Sequence, residues 1–447
     1  MKTYLIKGAT LVNEGENFVS DVLIRNGLIE KIDSHISAEG TIEINAEGLI
    51  LMPGAIDDQV HFREPGLTHK GEIKTEARAA VAGGVTSYME MPNTVPQSTS
   101  IIELEKKYTR AAECSLANYS FFMGGSNHNV EETLKVDYTK VCGLKIFMGS
   151  STGDMQVDHE DVLEEFFAKV PALIATHCEF DPLIKENLKR IVSEYGEELP
   201  AYFHPIIRNE EACYHSSSLA VALAKKHNTR LHILHISTAK ELSLFTNKIP
   251  LKEKRITAEA CIHHLWFSDE DYAIKGNLIK WNPSVKTAYD REKIFEAVLN
   301  GTIDVIATDH APHTSDEKAL PLLKAPSGGP LVQHSIQAML DFYHDKKISI
   351  EKIVQMMSHN VADLFRIQKR GYIREGYYAD LVLVNLNKPY TVTKENILYK
   401  CGWSPFEGHT FKSSIEKTFV NGNLVFDQGS IQEVAIGSRM TFDAPAI

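Results

Sequence analysis

From residue 55 to residue 309 the chain alternates eight short β-branched or apolar runs with stretches of helix formers, and its unusual polar residues gather toward the carboxyl ends of those runs. The runs are 55–61, 85–91, 117–123, 143–147, 172–177, 230–235, 255–259 and 303–309. Between them, Glu72 to Val81 is rich in helix formers and stops at Gly83-Gly84, where glycine can cap a last turn. A further helix is predicted from Asp158, with acidic residues in its first turn ahead of Val162, Phe166 and Phe167. Eight strands with intervening helices count to an α/β protein with a (β/α)8 TIM-type barrel, and a doubly wound open sheet is the competitor. The polar residues favour the barrel. His61, Lys145, His177, His235 and Asp309 stand at or near strand ends, and in a barrel those ends ring one face. Each alone has an ordinary reading, as a satisfied core histidine or a helix-capping aspartate. Five at equivalent positions point to one site.

The two ends of the chain are alike and differ from the middle. Residues 1–52 and 369–447 carry short β-rich runs, with Asn26-Gly27 and Asn421-Gly422 between them. Asn-Gly marks a hairpin, because a type I′ turn needs positive φ at both central residues. Each end alone holds few strands, so the two are expected to combine into one small β-sandwich domain flanking a barrel of residues 53–368. With 447 residues and 43% hydrophobic content there is ample core for both. A net charge of −12 without a basic patch argues against nucleic acid and anionic membranes as partners. No stretch approaches the ~20 apolar residues of a membrane span. The first residues lack the apolar core of a secretory signal. Six scattered cysteines without a CxxC read as reduced thiols, so a cytoplasmic location is expected.

Nitrogen and oxygen ligands without cysteine suit zinc or a similar divalent ion. A lysine fits such a set only if its amine has reacted with CO2 to give a bridging carbamate; the other reading is a lysine paired with a nearby acid. In the run Gln59-Val60-His61-Phe62-Arg63-Glu64-Pro65-Gly66, Gln59, His61 and Arg63 begin on one side of the strand. Arg63 beside a metal requires an anion, which indicates a substrate carrying a carboxylate, unless it merely pairs with Glu64. Asn93 in Met91-Pro92-Asn93-Thr94 either orients substrate or forms a turn. His313, four residues after Asp309, holds substrate or fixes its loop. Asp309 is placed to take a proton from metal-bound water and return it to a leaving nitrogen, so hydrolysis of an unactivated amide becomes feasible near neutral pH.

The motifs Asp57-Asp58-Gln59-Val60-His61-Phe62-Arg63-Glu64-Pro65-Gly66, Met91-Pro92-Asn93-Thr94 and Ala307-Thr308-Asp309-His310-Ala311-Pro312-His313 together resemble class I dihydroorotase, of the amidohydrolase superfamily. The resemblance extends to Pro405-Phe406-Glu407-Gly408. It implies a distorted barrel with a small β domain, and zinc-dependent, reversible hydrolysis of dihydroorotate to N-carbamoyl-aspartate in pyrimidine synthesis by a metal-bound hydroxide. It implies His61, His177, His235 and Asp309 as ligands of one or two Zn2+ ions, with carboxylated Lys145 as the bridge. Arg63 and Asn93 would bind the substrate carboxylate, and Asn282 and His313 the ring. It is compatible with a homodimer and with association with aspartate transcarbamoylase. Two departures stand out. Gln59 replaces the first histidine of the family's His-x-His, so it is a weak carbonyl ligand, or water takes its place, or one metal is weakly held or absent. Ser327-Gly328 replaces the usual Phe-Gly in the loop Pro312 to Leu331, which is rich in proline and glycine and is expected to act as a lid. The alternatives are allantoinase, dihydropyrimidinase, or an inactive homologue that only scaffolds the transcarbamoylase. Of the remaining histidines, His232 is predicted to face away from His235, and His263 and His264 to lie near the site or serve structure.

Overall fold

The computed structural model describes residues 2–149, 155–432 and 436–444. Its barrel strands are β1 (Ala55–Val60), β2 (Val85–Glu90), β3 (Asn118–Phe121, resuming at Met123–Gly124), β4 (Leu144–Phe147), β5 (Ile174–His177), β6 (Leu231–Ile233), β7 (Ile256–Cys261) and β8 (Val305–Ala307). Parallel pairing runs β1–β2–β3, and the resumed part of β3 carries it through β4 to β8. The ring closes where Val60 bridges His310 and the His61 N–H donates to the His310 carbonyl at 2.6 Å. Closure of a parallel sheet leaves no unpaired edge and buries both faces, which is why these runs read as near-continuously apolar.

The expected helix spans Ile73–Ala82, capped at its start by Glu72 and Thr75 in a reciprocal pair of hydrogen bonds. Its two glycines do different work. Gly84 takes φ +83°, while a Cβ on Gly83 would lie 2.3 Å from the Gln333 carbonyl. The next predicted helix begins two residues later than Asp158, at Glu160, and buries Leu163, Phe166 and Phe167. At the amino-terminal end of the barrel, helix Asn360–Phe365 sets the Phe365 ring against Phe122 and His232, with centroids 6.1 and 5.8 Å away. That end is plugged by an apolar layer including Ile56, Met89, Ala175 and Phe365, so access to the interior is from the opposite face.

The two ends of the chain build the β-sandwich together. Ile50–Pro53 lies between Tyr4–Asn13, which it pairs in parallel, and Leu381–Asn385, which it pairs antiparallel. Ser414–Val420 and Asn423–Asp427 extend the sheet on one side, Glu16–Arg25 and Leu28–Asp33 on the other. Both Asn-Gly turns have positive φ at both residues: 52° and 84° at Asn26-Gly27, 48° and 71° at Asn421-Gly422. Ile6, Leu11, Val22, Leu51, Leu381 and Phe419 form the sheet's own buried cluster. Among the described residues no helix is long and apolar enough to cross a membrane.

Candidate active site

Gln59, His61, Arg63, Asn93, Lys145, His177, His235, Asn282, Asp309 and His313 line one cavity of about 210 Å³ at the carboxyl end of the barrel, with Trp281, Phe147 and Ser327-Gly328 completing its wall. All ten residues singled out in the sequence therefore converge. His61 follows β1 directly, Lys145 lies within β4, His177 ends β5, and His235 and Asp309 stand two residues beyond β6 and β8. Arg63, His235 and Asp309 adopt left-handed backbone, with φ of +69°, +40° and +48°. Such conformations cost of order 1–3 kcal/mol each and persist only where surrounding contacts impose them. For His235 one such contact is visible: its N–H donates to Glu259 Oε1 at 2.8 Å.

Hydrogen bonds at the rim set the imidazole tautomers. His61 Nδ1–H donates to Asn93 Oδ1 at 2.8 Å, leaving the Nε2 lone pair 3.2 Å from Asp309 Oδ1. His177 Nε2–H donates to Glu179 Oε2 at 2.9 Å, leaving Nδ1 to accept from His235 Nε2–H at 3.0 Å. Burial alone would raise the Glu179 carboxyl, but the Arg208 guanidinium and the His177 hydrogen bond overcome it and hold the group ionised. Burial pushes His61 and His235 well down, helped by Arg63 at the first and by His177 and Lys145 at the second, so both are neutral.

The Lys145 amine is 1% exposed, makes no hydrogen bond and has no carboxylate partner among the described residues. Burial brings it from 10.5 to about 7, so that near neutral pH a substantial fraction is the free amine that adds to CO2. Burial raises the Asp309 carboxyl to about 7 despite His177, Lys145 and Arg63 nearby. Ring nitrogens of His61, His177 and His235 facing the cavity, an aspartate and an unpartnered amine form a donor set that fits a divalent ion and its bridging carbamate. Gln59 turns differently: its Nε2 donates to Asp309 Oδ1 at 3.1 Å, and its carbonyl receives the Cys261 thiol at 3.7 Å.

Arg63 does not pair with Glu64, which accepts instead from Arg110 Nε at 2.8 Å and the Ile73 N–H at 2.9 Å. The Arg63 Nε donates to the Pro312 carbonyl at 3.0 Å. Its Nη2 lies 3.0 Å from His313 Nε2, but that nitrogen also faces the Ser327 carbonyl at 3.0 Å while Nδ1 receives Lys70 Nζ at 3.0 Å. With Nδ1 accepting, Nε2 carries the proton for Ser327 and offers Arg63 no acceptor. Burial lowers the guanidinium to about 10 without neutralising it. Asn282 Oδ1 is buried without a hydrogen bond.

Several supports were not legible in the sequence. Glu179 lies only two residues after His177, a spacing that could have flagged it. The buried pair Lys107–Glu90 (2.6 Å), whose Glu90 Oε1 accepts from the Phe62 N–H between His61 and Arg63, left no such mark. His232, predicted to face away from His235, reaches the barrel interior as His235 does. Strand β6 stops at Ile233 and His235 lies past it, so the two-residue alternation does not reach that far; His232 meets Asp58 and Glu259 instead. His264 holds the Pro283 carbonyl at 3.1 Å, and His263 stacks on Trp281 at 4.5 Å between centroids.

Comparison with known proteins agrees with this arrangement. Residues 50–425 match the model of the Amidohydrolase family. A dihydroorotase of Halobacterium salinarum is 31% identical over 422 residues, covering 92% of this chain and 94% of that protein. An allantoinase of Escherichia coli is 29% identical over 438 residues, covering 95% of each. In structure the chain is similar to an L-hydantoinase of Arthrobacter aurescens, with a TM-score of 0.93, 25% identity, and coverage of 99% of this chain and 100% of that one. With the family model spanning most of its length and the ten cavity residues converging on one barrel face, this chain belongs to the amidohydrolase family.

Proposed function

We propose that this cyclic amidohydrolase is a dihydroorotase, opening (S)-dihydroorotate to N-carbamoyl-L-aspartate and closing it again. The observation that carries the choice of substrate is Arg63, a buried guanidinium at the cavity wall with donors left over and no carboxylate within 4 Å among the described residues. A ring bearing a carboxylate supplies that acceptor; allantoin and dihydrouracil do not. Asn93, whose oxygen is taken by His61, keeps its amide N–H groups for the same carboxylate. His313 and Asn282 flank the ring. A Zn2+ ion held by His61, His177, His235, Asp309 and carboxylated Lys145 would lower the pKa of water and polarise the amide carbonyl. Asp309, poised near neutrality, takes the proton of the attacking water as the C–O bond forms and delivers it to the ring nitrogen as the C–N bond breaks. Gln59 serves as the residue that holds Asp309 in place. On this reading residues 53–368 carry the chemistry, and 1–52 with 369–447 form the flanking domain.

Steady-state assays on L-dihydroorotate, N-carbamoyl-L-aspartate, allantoin and dihydrouracil, with zinc and bicarbonate supplied, test it. Dihydroorotate should be preferred, and Arg63→Gln should cut its kcat/KM by about 30- to 1,000-fold, the loss of roughly 2–4 kcal/mol from a buried charged contact. Preference for allantoin or dihydrouracil would assign that activity instead, and folded, metal-loaded protein inert toward all four would point to a different cyclic amide or to a scaffolding role.

A further inference from the structure

Beneath the cavity floor a second set of ionisable side chains meets in the barrel interior. The register of β1 against β2 shifts between Asp57 and Val60, and consecutive residues Asp58 and Gln59 both reach interior partners. Asp58 Oδ2 lies 3.2 Å and Glu259 Oε2 3.8 Å from His232 Nε2. All three residues are 0% exposed. The Thr257 hydroxyl donates to the Leu231 carbonyl at 3.2 Å, so it accepts from His232 Nδ1–H at 2.8 Å. Nε2 is then aimed at the two carboxylates. Despite burial, Asp58 and Glu259 raise His232 to about 9, so a proton on Nε2 is what an ion at this point would displace. Neither carboxylate contact has the geometry of a hydrogen bond: Asp58 Oδ1 and Oδ2, Glu259 Oε2 and His232 Nε2 are all without a hydrogen-bond partner. Two adjacent buried carboxylates, three of whose oxygens have no hydrogen-bond partner, and a ring nitrogen directed between them call for a positive charge at that point. The 3.2 and 3.8 Å separations bracket what one requires, and the three ligand atoms all lie within 4.8 Å of one another. Ligand atoms about 2.0–2.2 Å from a tetrahedral ion stand roughly 3.3–3.6 Å apart.

We propose that Asp58, His232 and Glu259 bind a divalent metal ion, Zn2+ by donor type, in the floor of the barrel and apart from the Lys145 centre. One imidazole and two carboxylates supply three ligands, and because all three residues are fully buried and none lines the cavity, an ion there serves structure and does not meet substrate. Its task follows from the other oxygen of Glu259. Oε1 accepts from the His235 N–H at 2.8 Å and from the Cys261 thiol at 3.2 Å. An ion fixing Glu259 from below therefore fixes the backbone of His235 in its left-handed conformation. The ion acts on the centre above only through position.

Crystals of the whole protein grown with ZnCl2 and measured on both sides of the zinc edge decide the matter. The expected result is an anomalous peak bounded by Asp58, His232 and Glu259, which falls away in Asp58→Asn together with one equivalent of zinc per chain by mass spectrometry. The absence of that peak in wild-type crystals, with both His232 nitrogens protonated in 15N spectra, would overturn the proposal in favour of an imidazolium held between two acids. The wild-type map suffices if Asp58→Asn does not fold. A peak here without one at Lys145 would support this ion and remove the metal from the catalytic reading, so the two fail separately.

Discussion

Burial moves Asp309 and Lys145 in opposite senses to the same value, about 7, and this has a measurable consequence for stability. Between roughly pH 4 and 7 the folded metal-free protein keeps a proton on Asp309 that the unfolded chain has lost, so stability falls as pH rises through that window. Between roughly pH 7 and 10 the unfolded chain keeps a proton on Lys145 that the folded protein has lost, so stability rises again. Each limb is on the order of 4 kcal/mol at its full extent. Urea unfolding of the metal-free protein across pH should show Asp309→Asn flattening the lower limb and Lys145→Met the upper one. Parallel curves for wild type and both variants would show that neither group titrates as its burial requires.

At the scale of the element, the loop from Pro312 to Leu331 is tethered more firmly than its proline and glycine content indicates. Lys318 Nζ donates to the carbonyls of Lys280, Pro326 and Gly328 at 3.1, 3.0 and 2.7 Å. Lys280 Nζ in turn donates to Leu322 at 2.7 Å and to Ala325. Gly328, at φ +123°, sits where a Cβ would come within 2.5 Å of the Ala311 carbonyl. Lys318→Met should speed amide exchange across the loop at least tenfold and raise KM, with metal content unchanged; unaltered exchange would show that the three carbonyls do not depend on the Lys318 side chain. These clamps explain what could be read from sequence and what could not. Runs such as Leu144–Phe147 declare themselves by local composition, and strand-end residues such as His177 and Asp309 by their position in the eightfold alternation. Lys318 gives no such signal, because its partners are backbone carbonyls brought near by the fold. Glu90 and Lys107 are each ordinary in their own helix or strand and become a pair only after packing. The turns Asn26-Gly27 and Asn421-Gly422 were legible because their chemistry is entirely local.

The whole molecule is held together where its two ends meet the barrel. The Gly54 N–H, one residue before β1, donates to the Asp380 carbonyl at 2.9 Å. The Asp380 carboxylate takes Arg370, the Asn118 amide from β3 at 3.1 Å and the Asn421 N–H at 2.7 Å. Arg370→Met would leave that buried carboxylate without its cation and should cost about 3–5 kcal/mol in urea unfolding, lowering sandwich and barrel in one transition. A loss confined to an early, partial transition would show the two parts unfolding independently. The same unity gives meaning to the left-handed backbone at Arg63, His235 and Asp309. The free energy that keeps those residues bent is drawn from packing everywhere else in the chain. A lineage evolving under heat alone, with no demand for turnover, would relax these positions early, and their persistence in a heat-adapted descendant would be a record that the chemistry had never stopped being used.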